Sequence, residues 1–135
     1  MLLGMALLGT GSAHLTVLRE EFQAQVPDWL PVDADAVVVG SGVVELALAA
    51  ALVLSLLGPS ALRVAAGLAT AVFFVAIFPG NLAQYVEGTA AFGLETDRAR
   101  LVRLAFQPLL VAWALWSTGA WAWLRRRVSA RAARR

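Results

Sequence analysis

The chain has 135 residues, 60% apolar and 15% charged, with a formal net charge of +2 and a mean hydropathy of +0.74. Soluble chains run at about 45–50% apolar and about 25% charged, so this composition argues against a soluble domain. The sequence has no cysteine, which excludes disulfides, thiolate-held clusters and thiol exchange within the chain, and its single histidine excludes bis-histidine haem ligation.

The basic pI near 10.4 does not point to nucleic acid. Six of the eleven basic residues, all of them arginine, fall in the last eleven positions, which makes a tail and not a basic face. A bilayer-spanning helix needs roughly 20 mostly apolar residues, because lipid offers backbone groups no partner and a helix satisfies them within one segment. Four segments meet or approach this requirement.

The first, about 1–18, is the shortest and has no upstream charge. It competes with a secretory signal peptide, with Met1 to Leu8 as the apolar region and Gly11-Ser12-Ala13 as a cleavage-like site, but the arginine or lysine of an n-region is missing. An upstream start would also account for its short, uncharged beginning. The second, about 36–57, carries one charge, Glu45. The third, about 61–85, has Arg63 at its mouth and runs through Val64 to Phe78 into Pro79-Gly80-Asn81. The fourth, about 102–124, is uncharged from Leu104 to Leu124 and closes on Arg125-Arg126-Arg127.

Arginine asymmetry sets the orientation. The 18–36 loop sets Arg19 against Glu20, Glu21, Asp28, Asp33 and Asp35, whereas the Gly58-Pro59-Ser60 turn leads into Arg63 and the 125–135 tail is basic. The turn and tail therefore belong in the cytoplasm, and four spans place both termini there. Trp29, Trp121 and Trp123 fall at the expected membrane–water interfaces. Gly40-Ser41-Gly42, Ala47 to Ala51, Ala65-Ala66-Gly67 and Gly119-Ala120 supply the small residues that close helix packing in lipid needs. The expected fold is all-α, an integral membrane antiparallel four-helix bundle.

Polar residues inside a membrane are costly, so their positions carry the functional signal. They are His14, Ser41, Glu45, Asn81, Gln84, Arg103 and Gln107. At about 1.5 Å per residue, His14, Ser41, Asn81 and Gln107 fall roughly 6–9 Å below the outer boundary and Glu45 about 14 Å below it. Ser41 and Glu45, like Arg103 and Gln107, are spaced i, i+4 and share a helix face. Pro79 and Pro108 cannot donate to the carbonyls of Val75 and Leu104, which frees acceptors beside this layer and permits kinks.

Two readings of the layer stand side by side. In one it fixes helix register, for example through Arg103–Glu45 and His14–Asn81 contacts. In the other it lines a pocket open to the outer half, with Glu45 exchanging protons with a ligand and His14 as the relay. One histidine and one carboxylate are too few for a metal site.

Gly11-Ser12-Ala13-His14-Leu15, Val26-Pro27-Asp28-Trp29-Leu30-Pro31, Ser41-Gly42-Val43-Val44-Glu45, Phe78-Pro79-Gly80-Asn81 and Arg103-Leu104-Ala105-Phe106-Gln107-Pro108, in that order over nearly the whole chain, make it resemble the DoxX-like family of small four-helix bacterial membrane proteins. That pattern usually has Phe at position 15 and Ala at position 80, where this chain has Leu15 and Gly80. The resemblance implies that the polar layer is a family feature, in a protein of the bacterial inner membrane. It also implies a possible accessory role beside an oxidoreductase subunit, with a quinone as the candidate cofactor and no activity of the chain on its own. A carrier or binder of a small metabolite or lipid, and a non-catalytic scaffold, remain alternatives, and the bundle can be an oligomer.

Overall fold

The computed structural model describes residues 1–134, and these form seven helices with no strand among them. α1 (Leu2–Leu15) is apolar on every side and ends where the Leu18 amide turns back to the Ala13 carbonyl. At about 1.5 Å per residue its 14 residues span about 21 Å, less than the roughly 30 Å hydrocarbon layer. The short α2 (Arg19–Gln23) follows and is tied to the next helix by the Arg19–Asp35 ion pair. That hydrogen bond holds the Arg19 guanidinium above its ordinary pKa.

α3 (Ala34–Leu54) starts on Asp33, whose carboxylate accepts from the Ala36 amide at 2.8 Å, a side-chain N-cap for the otherwise unpaired first turn. After the Gly58-Pro59 turn, α4 (Ser60–Ala76) and α5 (Phe78–Val86) are separated only at Ile77. This is the position two residues before Pro79, whose ring and missing N–H interrupt the ladder. α6 (Asp97–Ser117) is capped by the Thr96 hydroxyl and continues through Pro108.

Two residues past α6, Gly119 takes the left-handed conformation (φ +76°) open to glycine, and α7 (Ala120–Ala132) leaves at 79° to α6. The sequence reading places the fourth span over about 102–124, and the structure breaks within that stretch. Hydropathy continues past Ser117, but the backbone turns at Gly119, so Trp121 and Trp123 lie on α7, and the arginines of the basic tail up to Arg131 are helical.

Among the described residues two helices are long and apolar enough to cross a membrane, Ala34–Leu54 and the 27-residue run Ser60–Val86, and a third qualifies if α6 and α7 count as one broken span. These helices mark a membrane protein. Val43, Val44, Val72, Val75, Leu109 and Trp116 all face outward, as lipid contact requires.

α1 packs along α3, and α4 along α6. The buried positions of α1 are Leu3, Gly4, Leu7, Gly11 and His14, and those of α3 are Val38, Gly42, Glu45, Ala49 and Leu52. From Gly4 onward on α1, and throughout on α3, these positions step by three and four residues, the spacing that lets two helices interlock along a seam. Glycine sets the closeness of this seam. A Cβ on Gly42 would stand 2.8 Å from the His14 Cβ, and one on Gly11 would stand 3.0 Å from the Glu45 Cβ and the Gly42 carbonyl oxygen.

In the other pair a Cβ on Gly67 would overlap the Thr118 side chain. The two pairs meet near the α3–α4 turn, where Leu3, Leu7, Ala49, Leu52, Ala66, Ala71, Phe74 and Ala114 form one apolar core. Of the small residues singled out in the sequence, Gly42, Ala49, Ala66, Gly67 and Ala120 are buried, whereas Gly40 has open space beside it and Gly119 acts as the hinge.

Candidate functional site

Beyond the apolar core the two helix pairs part around a cavity of about 440 Å³. Six of the seven polar residues singled out in the sequence line it: His14, Ser41, Glu45, Asn81, Arg103 and Gln107. The seventh, Gln84, is fully buried behind the wall, where its carbonyl oxygen accepts from Arg103 at 3.1 Å.

One wall belongs to α1 and α3. Glu45, only 4% exposed, accepts from the Thr10 hydroxyl at 2.5 Å. His14 Nδ1 lies 3.4 Å from the same carboxylate oxygen, out of line for a hydrogen bond, and has no other partner. The Gly11–Gly42 contact makes this wall, because only two backbones in touch let one-turn neighbours on α1 reach a carboxylate on α3. Ser41 spends its hydroxyl on the Val38 carbonyl of its own helix at 2.9 Å.

The other wall belongs to α4, α5 and α6. Asn81 donates to Gln107 at 2.9 Å, and Gln107 donates in turn to the Phe74 carbonyl at 2.6 Å. The acceptor used is thus one residue before Val75, whose carbonyl Pro79 was expected to free. Arg103 has no carboxylate within 4 Å among the described residues. Its guanidinium rests 5.0 Å from the centre of the Phe92 ring, a cation–π contact that orients the charge without neutralising it.

The register contacts suggested by the sequence are corrected accordingly. Arg103 pairs with Gln84 and not with Glu45, and His14 stands beside Glu45 and not Asn81. The reason is helix order: among the described residues each polar lining side chain bonds within its own pair, and no hydrogen bond joins a lining side chain of one wall to one of the other.

A roof closes the end away from the core. The Phe22 ring lies against His14 with centroids 3.4 Å apart and meets Phe92 edge-on at 4.7 Å. The Phe92 amide donates to Glu21 at 2.7 Å, and the Gln25 carbonyl is close enough to Gly80 that no Cβ fits there. An aromatic column therefore runs from His14 through Phe22 and Phe92 to Arg103 and joins the two walls. The exposed lining residues, among them Ala6, Trp29, Ala76, Pro79 and Phe106, are apolar apart from Thr10.

Four participants escaped the sequence reading. Thr10 stands one turn before His14, and the i, i+4 rule applied to Ser41 and Glu45 would have found it. Gln25, whose buried Nε2 has no partner among the described residues, and Phe22, on the short α2, both fall in the stretch read from sequence as the 18–36 loop, and Phe92 falls in the α5–α6 loop, where no periodicity points to a face.

The fold and site define a class: a small helical membrane protein with a polar-walled cavity between two helix pairs. The chain belongs to the family described as a domain of unknown function (DUF8561), whose model matches residues 3–118. That match spans α1 through the end of α6 and stops before α7. No curated protein and no solved structure matches the chain.

Proposed function

We propose that this protein is a DoxX-like four-helix membrane bundle that binds the headgroup of a quinone in its cavity, as an accessory subunit of a membrane redox system. In this reading α1, α3, α4–α5 and α6 cross the bacterial inner membrane, both termini are cytoplasmic, and the cavity lies in the outer half. The observation that carries the proposal is the division of the cavity into two unlike walls whose polar lining side chains do not bond to each other. Arg103, Asn81 and Gln107 face Thr10, His14 and Glu45.

A quinone ring carries two carbonyls on opposite edges. A guanidinium on one wall can donate to one carbonyl, while the histidine and carboxylate on the other wall can exchange a proton with the second. Electrons would come from an oxidoreductase partner, since the cysteine-free chain has no thiol couple of its own. The apolar exposed edge of the cavity and its aromatic roof favour entry from the lipid, with the isoprenoid tail left in the bilayer.

A second reading, a binder or carrier of another lipid or small metabolite, rests on the same apolar edge, which suits any amphiphile with a small polar head. A scaffold explains the hydrogen bonds within each pair, but it does not explain the cavity or the unpartnered His14 Nδ1 and Gln25 Nε2.

The test is mass spectrometry of small molecules retained by the purified protein, joined to titration with a short-chain quinone for wild type, Glu45→Gln and Arg103→Gln. Wild type is expected to retain and bind quinone, and each variant to bind it at least about tenfold more weakly, the loss of one charge-assisted hydrogen bond. Failure of the wild type to bind any quinone defeats the redox reading. A different retained amphiphile, lost in the same variants, establishes the second.

A further inference from the structure

Beyond the cavity, the part of the chain with the strongest unmatched charge is α7. Between Thr118 and Arg134 there are five arginines and no acidic residue, and none of the five makes an ion pair among the described residues. On this helix Trp121, Leu124 and Val128 follow one another at i, i+3 and i+7 and form an apolar ridge, with Trp121 and Val128 well exposed. Beside the ridge, Trp121, Arg125, Arg126 and Ser129 surround Ala122, and the small side chain at the centre leaves a shallow notch. Arg127 is held away from the notch by its contact with the Trp123 ring, at 4.8 Å.

We propose that α7 lies in the membrane interface and that this notch binds the phosphodiester of an anionic phospholipid. The proposal rests on the reading that α6 crosses the bilayer. The 79° turn at Gly119 then carries α7 along the membrane surface and not into solvent. In that position the Trp121–Leu124–Val128 ridge dips toward the acyl chains, as in interfacial helices. Arg125 and Arg126 meet the phosphate oxygens as charge-assisted donors, and the Ser129 hydroxyl adds a third. An acidic protein would satisfy the charges but leave the ridge without an apolar phase, so lipid is the occupant that uses both faces.

The experiment uses the full chain in nanodiscs of phosphatidylcholine containing a minor fraction of phosphatidylglycerol. The lipid that remains with the protein after detergent extraction is quantified by mass spectrometry. Wild type is expected to be enriched in phosphatidylglycerol. Loss of a charge-assisted hydrogen bond weakens binding at least about tenfold, so Arg125→Gln/Arg126→Gln is expected to lose at least about tenfold of that preference. Arg131→Gln/Arg134→Gln, which removes the same charge away from the notch, keeps most of it. Equal losses in the two variants overturn the site in favour of diffuse attraction, and release of the lipid by excess inorganic phosphate at constant ionic strength overturns the assignment to lipid.

Because the chain has no cysteine, Val128→Cys carries a single spin label that reports depth. Oxygen accessibility typical of lipid is expected, and a water-exposed label overturns the interfacial placement. A label in lipid without any phosphatidylglycerol preference defeats the site while leaving the α6 span standing.

Discussion

The two ends of the bundle use the same helices in opposite ways. Near the α3–α4 turn, Leu3, Leu7, Ala49, Ala66, Phe74 and Ala114 bring both pairs into one apolar core. Toward the other end each pair satisfies its polar lining groups internally, Thr10 with Glu45 and Asn81 with Gln107 and Phe74, so only the Phe22–Phe92 roof bridges the walls and a cavity remains beneath it. In lipid, apolar surface gains little by leaving the solvent, and closeness must come from shape and hydrogen bonds. Where shape is complementary the pairs join, and where hydrogen bonds are already spent within a pair they part.

The largest effect is expected at the joined end. Gly67→Val drives a branched side chain into Thr118 and is expected to lower stability by about 3 kcal/mol, the upper range for overpacking, read as detergent or thermal unfolding. Thr118→Ala in the same chain restores part of it. Stability unchanged in Gly67→Val means that α4 and the α6–α7 corner are not in contact in the membrane.

Gly42→Ala presses on His14 across the α1–α3 seam and is expected to cost about 1–2 kcal/mol. It should also weaken ligand binding, because Thr10 and His14 move off Glu45. Gly40→Ala, two residues away with open space beside it, is the control and should match wild type. Equal effects at the two positions remove the seam from the account.

A double-mutant cycle tests the parting itself. Asn81→Leu and Gln107→Leu, in one wall, should be coupled by about 0.6 kcal/mol, the mean for a hydrogen bond within a membrane. Thr10→Val with Asn81→Leu, in opposite walls, should add within about 0.3–0.5 kcal/mol. Coupling across the cavity as strong as within a wall contradicts the two-pair description. The smallest effect is expected outside the spans. Arg19→Gln breaks a half-exposed ion pair with Asp35 and should leave the melting temperature unchanged in high salt, since such pairs are screened.

Much of the site was legible in the sequence because polar residues stand out against an apolar background. Six of seven polar positions meet at one cavity for that reason. The partners were not legible. Glu45 was offered Arg103 and found Thr10 and His14, because a charge pattern says which groups need partners but not which helix is adjacent. Hydrophobic periodicity gave no help on α1 and α3, whose apolar residues are spread over all faces, and their buried seam shows only as small residues seven apart, Gly4 and Gly11 on α1 and Gly42 and Ala49 on α3.

By itself, the sequence determined the helical class, the apolar segments, the glycines at which backbones can touch and the residues too polar to face lipid. These follow from composition and local geometry. The tertiary structure alone decided that the helices join as two pairs, that the roof over the cavity comes from α2 and the Phe92 loop, and that α7 turns aside at Gly119. Each of these depends on contacts between residues far apart in the chain, or on a single backbone angle that hydropathy does not record.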